Sequence, residues 1–139
     1  MIRIENLGKN FNGKTAVRGL TLEIAPGELF CFLGPNGAGK TTTIKMLTGL
    51  LRPTTGRALI GGFDIQTHPV AAKRQIGYVP DHPYVYEKLS GRDFYRFVGD
   101  MFHIPREVQD RRMRELFDKL LLTESIDEYV ENYSHGMRQ

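Results

Sequence analysis

Apolar residues at the start of the chain alternate with polar ones in two stretches, residues 2–4 and residues 20–24. This alternation is typical of strands with one face buried. Asn12-Gly13 lies between the stretches, and Asn-Gly is the dipeptide most typical of two-residue hairpin turns. Residues 1–24 are therefore predicted to form an antiparallel pair of strands.

Longer apolar runs bounded by glycine or proline predict strands covered on both faces, as in a parallel sheet. Residues 28–33 and 76–79 fit this description. From Lys40 onward the apolar residues recur at helical spacing, whereas residues 57–60 predict a short strand and residues 69–75 a short helix. This mixture of strands and helices predicts an α/β fold.

The later part of the chain has a helical pattern only. Ser90 followed three residues later by Asp93 predicts a capped helix start, and that helix is expected to run to about His103. Pro105 suits the first turn of a second helix, and residues 125–130 predict a third. The apolar residues of the second helix are predicted to share one face: Met113, Leu116, Phe117, Leu120 and Leu121.

This change of pattern predicts two domains. Residues 1–83 are expected to hold an antiparallel β part and an α/β core, and residues 84–139 a helical subdomain. No internal repeat or low-complexity stretch is visible.

Composition excludes several classes of protein. The 139 residues are 40% hydrophobic and carry a formal charge of +3, which excludes a disordered chain and gives no general argument for nucleic-acid binding. The longest compact apolar run, residues 29–33, is far shorter than the roughly 18 residues of a membrane-spanning helix. Cys31 is the single cysteine, so no internal disulfide can form, and a cytosolic location fits best.

Residues 34–41 fit the pattern G-x-x-x-x-G-K-[ST] between a predicted strand and a predicted helix. Glycines let successive backbone N–H groups turn toward an anion at the positive end of the helix dipole. Lys40 adds a charge for the β- and γ-phosphates, Thr41 a hydroxyl for Mg²⁺, and Thr42 a hydroxyl for an inner phosphate. The predicted phosphate-binding residues are Gly34, Pro35, Asn36, Gly37, Ala38, Gly39, Lys40, Thr41 and Thr42. The loop alone does not choose between an ATPase, a GTPase and a small-molecule kinase.

Several further motifs, in the expected order, resemble the nucleotide-binding subunit of ABC transporters over the whole chain. Residues 50–56 resemble the segment after the phosphate-loop helix, and residues 76–80 the strand leading into the Q-loop of that family. Residues 133–137, Tyr-Ser-His-Gly-Met, resemble its signature sequence. The resemblance implies a P-loop NTPase of the ABC type that binds ATP and Mg²⁺. It implies an N-terminal antiparallel β part, an incomplete parallel-sheet core and a helical subdomain.

The resemblance also assigns roles to single residues outside the loop. Phe11 falls where the family places the aromatic ring that stacks on adenine, although a lone phenylalanine beside a hairpin turn is often a minor core residue. Ser134 and Gly136 fall where the signature of one subunit meets ATP held by the opposite subunit of a head-to-tail dimer. From the residues alone, they also fit a helix N-cap followed by a glycine.

The sequence departs from the family pattern in three ways. The signature has His135 in place of a glycine and Met137 in place of a glutamine, and both changes leave Ser134 and Gly136 in place. Asp81 stands where the Q-loop glutamine is expected; its carboxylate could approach Mg²⁺ or the attacking water, or the residue could merely shape a turn between two prolines. No run of four apolar residues ending in Asp-Glu, the Walker B motif, occurs in the sequence. Those acids help to hold Mg²⁺ and polarise the attacking water. The 139 residues are therefore expected to bind ATP but to hydrolyse it poorly, and the sequence is expected to end within its domain.

The function implied by the resemblance is that of the ATP-binding, energy-coupling subunit of a membrane transporter, with Lys40 and Asp81 in catalytic positions. The implied partners are transmembrane permease subunits and a second nucleotide-binding subunit, with no nucleic acid. The protein is expected in the cytoplasm, peripheral on the inner face of the membrane, where Tyr84 and Tyr86 are candidate contacts for the membrane partner. A soluble ABC-family ATPase and a non-catalytic nucleotide-binding or interaction module are the alternatives.

Overall fold

The computed structural model describes all residues of the sequence, Met1–Gln139, and they form two compact units. The first unit is Met1–Tyr78 and contains every strand, whereas the second, Val79–Gln139, is helical. No helix in either unit combines the length and the apolar character needed to cross a bilayer.

Two long strands at the start of the first unit form the predicted hairpin. β1 spans Ile2–Phe11 and pairs antiparallel with β2, Lys14–Ile24. Asn12 and Gly13 join them with φ angles of 46° and 86°. Both angles lie in the left-handed region that a type I′ turn requires, and the Asn-Gly dipeptide adopts it readily. The hairpin prediction is confirmed.

Two further strands complete a four-stranded antiparallel sheet. β3, Thr55–Ile60, pairs with β1, and the two-residue β4, Phe63–Asp64, pairs with β3, so the order is β2-β1-β3-β4. Ile4 on β1 therefore has a backbone neighbour on each side. The short strand predicted for residues 57–60 is present and begins two residues earlier, whereas β4 was not predicted.

The sheet and two helices share the core of the first unit. α1 spans Lys40–Leu47 and α2 spans Pro69–Lys73, which confirms both helices predicted for this region. The buried cluster consists of Ile4, Leu7, Met46, Ala58, Ile60, Ile65 and Ala72. Because Met46 belongs to α1 and Ala72 to α2, burial of these side chains holds both helices against the sheet.

The strands predicted for residues 28–33 and 76–79 do not form. Both segments are irregular, and Leu29 and Leu33 are 100% and 82% exposed. A buried strand requires neighbouring strands that accept and donate its backbone hydrogen bonds. No strand of the structure pairs with either segment, so their apolar side chains lack a sheet to pack on.

The second unit contains three α-helices: α3, Gly91–Met101, α4, Arg106–Lys119, and α5, His135–Arg138. Ser90 caps α3 as predicted, because its Oγ accepts a hydrogen bond from the backbone N–H of Asp93 at 3.1 Å. The same hydroxyl donates to the Asp93 carboxylate at 2.6 Å. The local motif therefore predicts the start of α3 correctly.

The helix predicted for residues 125–130 is absent. The chain makes turns there and then forms a short 3₁₀ helix, Val130–Asn132. This segment accepts a hydrogen bond from the start of α3: the backbone N–H of Arg92 donates to the carbonyl oxygen of Ile126 at 2.8 Å. A continuous helix would direct that carbonyl to the residue four positions later, so the tertiary bond replaces the local one.

The apolar face predicted for α4 is buried only at Met113. Leu116, Leu120 and Leu121 are exposed. The helix ends at Lys119, and Leu121 has a φ angle of 58°, so the last two leucines no longer follow the helical repeat. The prediction extended the helical spacing beyond the end of the helix.

Candidate functional site

A loop of residues 34–39 leads into α1, and Gly39 is the N-cap residue of that helix. The first N–H groups of a helix have no acceptor within it. The backbone N–H groups that make no hydrogen bond within the chain include those of Gly37, Gly39, Lys40, Thr41 and Thr42. These donors lie at the positive end of the helix dipole, an arrangement that suits an anion such as phosphate.

Two glycines of this loop have left-handed backbone conformations. Gly37 has a φ angle of 82° and Gly39 one of 86°. A Cβ atom on Gly39 would also lie 2.5 Å from the carbonyl oxygen of Ala16 on β2, whereas one on Gly37 would meet nothing within 4 Å. Glycine is therefore needed at position 37 for conformation alone, and at position 39 for both conformation and packing.

The side chain of Lys40 folds back across the loop. Its Nζ donates hydrogen bonds to the carbonyl oxygens of Gly34 at 2.6 Å and Pro35 at 2.7 Å. An ammonium group has three N–H donors, so one remains for an anion. The contacts hold a positive charge beside the free backbone donors.

Three consecutive threonines at the start of α1 differ in their environment. Thr43 is buried, and its hydroxyl donates to the carbonyl oxygen of Gly39 at 2.9 Å. Thr41 is exposed and Thr42 half-buried, and neither hydroxyl makes a hydrogen bond within the chain. The two threonines predicted to bind ligand are therefore the two whose hydroxyls are free, and the third stabilises the loop.

Phe11 is the last residue of β1 and lies outside the buried core, with 45% of its surface exposed. The ammonium nitrogen of Lys9 lies 5.0 Å from the centroid of its ring. The same nitrogen donates to the carbonyl oxygen of Arg52 at 2.8 Å. An exposed ring with a cation over it is available for stacking and contributes little to the core.

Asp81 belongs to the second unit and has an exposed carboxylate that makes no hydrogen bond or ion pair. The backbone carbonyl oxygens of Pro80 and Asp81 each accept from Nε2 of Gln139 at 3.4 Å. Beside this segment, the rings of His82 and His135 are 5.8 Å apart. The segment is therefore joined to α5, while the Asp81 carboxylate stays free.

Ser134 and Gly136 lie at the start of α5. The Oγ of Ser134 accepts from the backbone N–H of Met137 at 3.3 Å, so this serine does serve as an N-cap. Gly136 has no left-handed φ angle, and a Cβ there would meet nothing within 4 Å. The N-cap interpretation accounts for Ser134, but neither conformation nor packing requires glycine at position 136.

Comparison with known proteins decides what kind of domain carries this loop. The model of the ABC transporter family matches residues 17–139. The chain belongs to the ABC transporter family. Its fold class, predicted from the motifs, is confirmed by this match and by the structural likeness described next.

Relatives within the ABC transporter family include proteins of Bacillus subtilis. The linearmycin resistance ATP-binding protein LnrL is 35% identical over 139 residues, which cover 100% of this chain and 45% of LnrL. The glycine betaine/carnitine/choline transport ATP-binding protein OpuCA is 37% identical, over 99% of this chain and 36% of OpuCA. A solved structure of an ATP-binding subunit of an ABC transporter matches with a TM-score of 0.88 at 27% identity. That match covers 99% of this chain and 57% of the other. This chain thus spans less than half the length of either curated relative.

The motif residues of this ABC transporter chain divide between its two units. The phosphate loop and Phe11 belong to the first unit, whereas Asp81, Ser134 and Gly136 belong to the second. None of the sequence motifs includes Lys9, the residue whose ammonium lies over the Phe11 ring. A signal for it exists, because residues two apart on a strand point to the same side and Phe11 is two residues further on.

Proposed function

We propose that this protein is the ATP-binding, energy-coupling subunit of an ABC membrane transporter. The main support for this proposal is structural. Free backbone N–H groups lie before and within the first turn of α1, and the Lys40 ammonium is held beside them. Membership of the ABC transporter family and the ATP-binding relatives favour ATP over other phosphate ligands. The loop would bind the phosphates, and Phe11 would stack on the adenine base.

Oxygen ligands would hold Mg²⁺ at this site. The Thr41 hydroxyl is exposed and unbonded within the chain, and Mg²⁺ accepts hydroxyl, carboxylate and phosphate oxygens. When bound, Mg²⁺ neutralises charge on the β- and γ-phosphates. In the second unit, the Asp81 carboxylate has no competing partner, and Asp81 stays a separate prediction for an oxygen ligand of Mg²⁺ or a partner of the attacking water.

Hydrolysis needs a base and a complete metal site, and these 139 residues contain no Walker B motif. We expect them to bind ATP and to release phosphate slowly or not at all, whereas a longer chain that includes those acids would hydrolyse ATP. Phosphate release measured for both chains tests this directly. A 139-residue chain as active as the longer one would show that other residues supply the base.

ATP would also join two copies of the protein head to tail. In this arrangement the hydroxyl of Ser134 and the backbone N–H of Gly136 contact ATP held by the opposite subunit. Gly136 is exposed and a Cβ there would meet nothing within 4 Å, so a ligand has room to approach its backbone N–H. Sedimentation of the longer chain with and without ATP tests the dimer. A Gly136→Val variant that still dimerises with ATP would contradict the contact.

The membrane partner would be a permease subunit, with this protein peripheral on the cytoplasmic face. Tyr84 and Tyr86 are the candidate contacts: Tyr84 is 98% exposed, and the Tyr86 ring stands edge-on to Phe97 at 5.4 Å, with much of its surface open. Purification of the full-length subunit from membranes should recover a polytopic membrane protein. Recovery of ribosomes instead would favour a soluble ABC-family ATPase.

A further inference from the structure

The cation over Phe11 is fixed at a second point. Nζ of Lys9 lies 5.0 Å from the ring centroid and donates to the carbonyl oxygen of Arg52 at 2.8 Å. Arg52 follows the helix that begins in the phosphate loop. Lys9 therefore connects the aromatic side chain to the segment behind α1.

Two hydrogen bonds donated by backbone N–H groups attach the same end of β1 to the same segment. The N–H of Asn10 donates to the hydroxyl of Thr54 at 3.1 Å, and the N–H of Thr54 donates to the carbonyl oxygen of Gly8 at 2.8 Å. The backbone around Lys9 is thus held in place, and the bond to Arg52 gives its ammonium a second contact besides the ring.

The ring of Phe11 has few other constraints. It belongs to no aromatic pair and lies outside the buried core of the first unit. It also precedes the two-residue turn of the hairpin, where the chain is exposed. The Lys9 ammonium lies over one face of this ring, and 45% of the surface of Phe11 remains exposed.

We propose that Lys9 is a positioning residue for the nucleotide base. Its ammonium covers one face of the Phe11 ring and leaves the other face for the base. This inference rests on the proposed function, in which Phe11 stacks on adenine. The cation also draws electron density from the ring, which favours stacking of a second π-system on the opposite face.

The test compares two ligands that share phosphates but differ in the base. Dissociation constants for Mg-ATP and for Mg-tripolyphosphate are measured by calorimetry with the wild-type protein and its variants. In Lys9→Gln the side chain remains polar but loses its charge, and we expect Mg-ATP to bind about five-fold more weakly. Mg-tripolyphosphate, which has no base, should bind unchanged, and Lys9→Arg should restore Mg-ATP binding to within about two-fold.

Lys14→Gln is the matched control, because Lys14 is an exposed lysine at the same end of the hairpin with no cation–π contact. It should leave both affinities unchanged. Equal weakening of both ligands in Lys9→Gln would indicate a general effect of charge and would overturn the inference. Circular dichroism of each variant verifies that the sheet is retained.

Phe11→Ala separates this inference from the proposed function. If that variant lowers the affinity for Mg-ATP while Lys9→Gln does not, the base contact stands and the role of Lys9 is wrong. If Phe11→Ala leaves the ratio of the two affinities unchanged, the proposed base contact itself is wrong, and the role of Lys9 is excluded with it.

Discussion

Gly39 and Ala16 approach so closely that a Cβ atom on Gly39 would lie 2.5 Å from the carbonyl oxygen of Ala16. This contact joins the N-terminus of α1 to β2. It fixes the position of the last residue of the phosphate loop against the strand. The glycine supplies the left-handed conformation and at the same time lets the helix start pack directly on the strand.

A Gly39→Ala substitution should therefore destabilise the protein by about 2 kcal/mol or more, because a left-handed conformation costs a residue with a Cβ atom about 1–2 kcal/mol before the overlap is added. Urea unfolding followed by circular dichroism measures the loss. Gly37→Ala is the matched control, since its φ angle is similar but a Cβ there meets nothing within 4 Å. Equal losses for the two variants would show that the contact with Ala16 contributes nothing.

Replacing the cap of α3 should also lower stability. Ser90 is buried, and its Oγ accepts from the backbone N–H of Asp93 at 3.1 Å. We expect Ser90→Ala to reduce the free energy of unfolding by about 1–2 kcal/mol. Ser134→Ala removes the exposed cap of the four-residue α5 and should cost less, about 0.5 kcal/mol. The reverse order in denaturant titrations would contradict this account of the helix start.

The hydroxyl of Tyr133 is a third test of packing in the second unit. This tyrosine is buried, and its hydroxyl donates to the carbonyl oxygen of Ser125 at 2.6 Å. Tyr133→Phe should destabilise the protein by about 1 kcal/mol, since the carbonyl loses its partner. Tyr84→Phe removes an exposed hydroxyl that makes no hydrogen bond within the chain, and it should have no measurable effect on unfolding.

Tyr133 should also make stability depend on alkaline pH. Burial, with smaller contributions from the carboxylates of Glu128 and Asp127, raises the pKa of Tyr133 above its ordinary value of about 10. The unfolded chain then loses this proton at a lower pH than the folded protein. The stabilising contribution is therefore present below pH 10 and is lost as the pH rises through the raised pKa. Midpoints of urea unfolding between pH 8 and 11 should fall more steeply for the wild type than for Tyr133→Phe. Parallel pH profiles would refute the linkage.

Local motifs predicted much of this structure. Asn12 and Gly13 determine the hairpin, because the turn geometry depends only on those two residues. Ser90 with Asp93 determines the start of α3 in the same way. The phosphate loop could also be placed from its own residues, since it follows an apolar run and opens a helix.

Features that depend on distant partners could not be read from the sequence. Residues 28–33 have the composition of a buried strand, yet strand formation depends on a neighbour that their own composition does not reveal. The helix predicted for residues 125–130 does not form, because the Ile126 carbonyl accepts a hydrogen bond from the N–H of Arg92. That bond is a tertiary contact, which the local sequence does not reveal. The same holds for Lys9, whose position over Phe11 is stabilised by the Arg52 carbonyl.

The central claim is that the loop before α1 binds ATP through its backbone donors and Lys40. Calorimetric titration of Mg-ATP into the wild-type protein, Lys40→Met and Lys45→Met tests it most directly, since Lys45 is an exposed lysine on the same helix. We predict saturable binding by the wild type and Lys45→Met. Binding by Lys40→Met should be at least about ten-fold weaker, because a hydrogen bond to a charged group is lost. Absence of binding to the wild type, or equal affinity for all three proteins, would contradict the account.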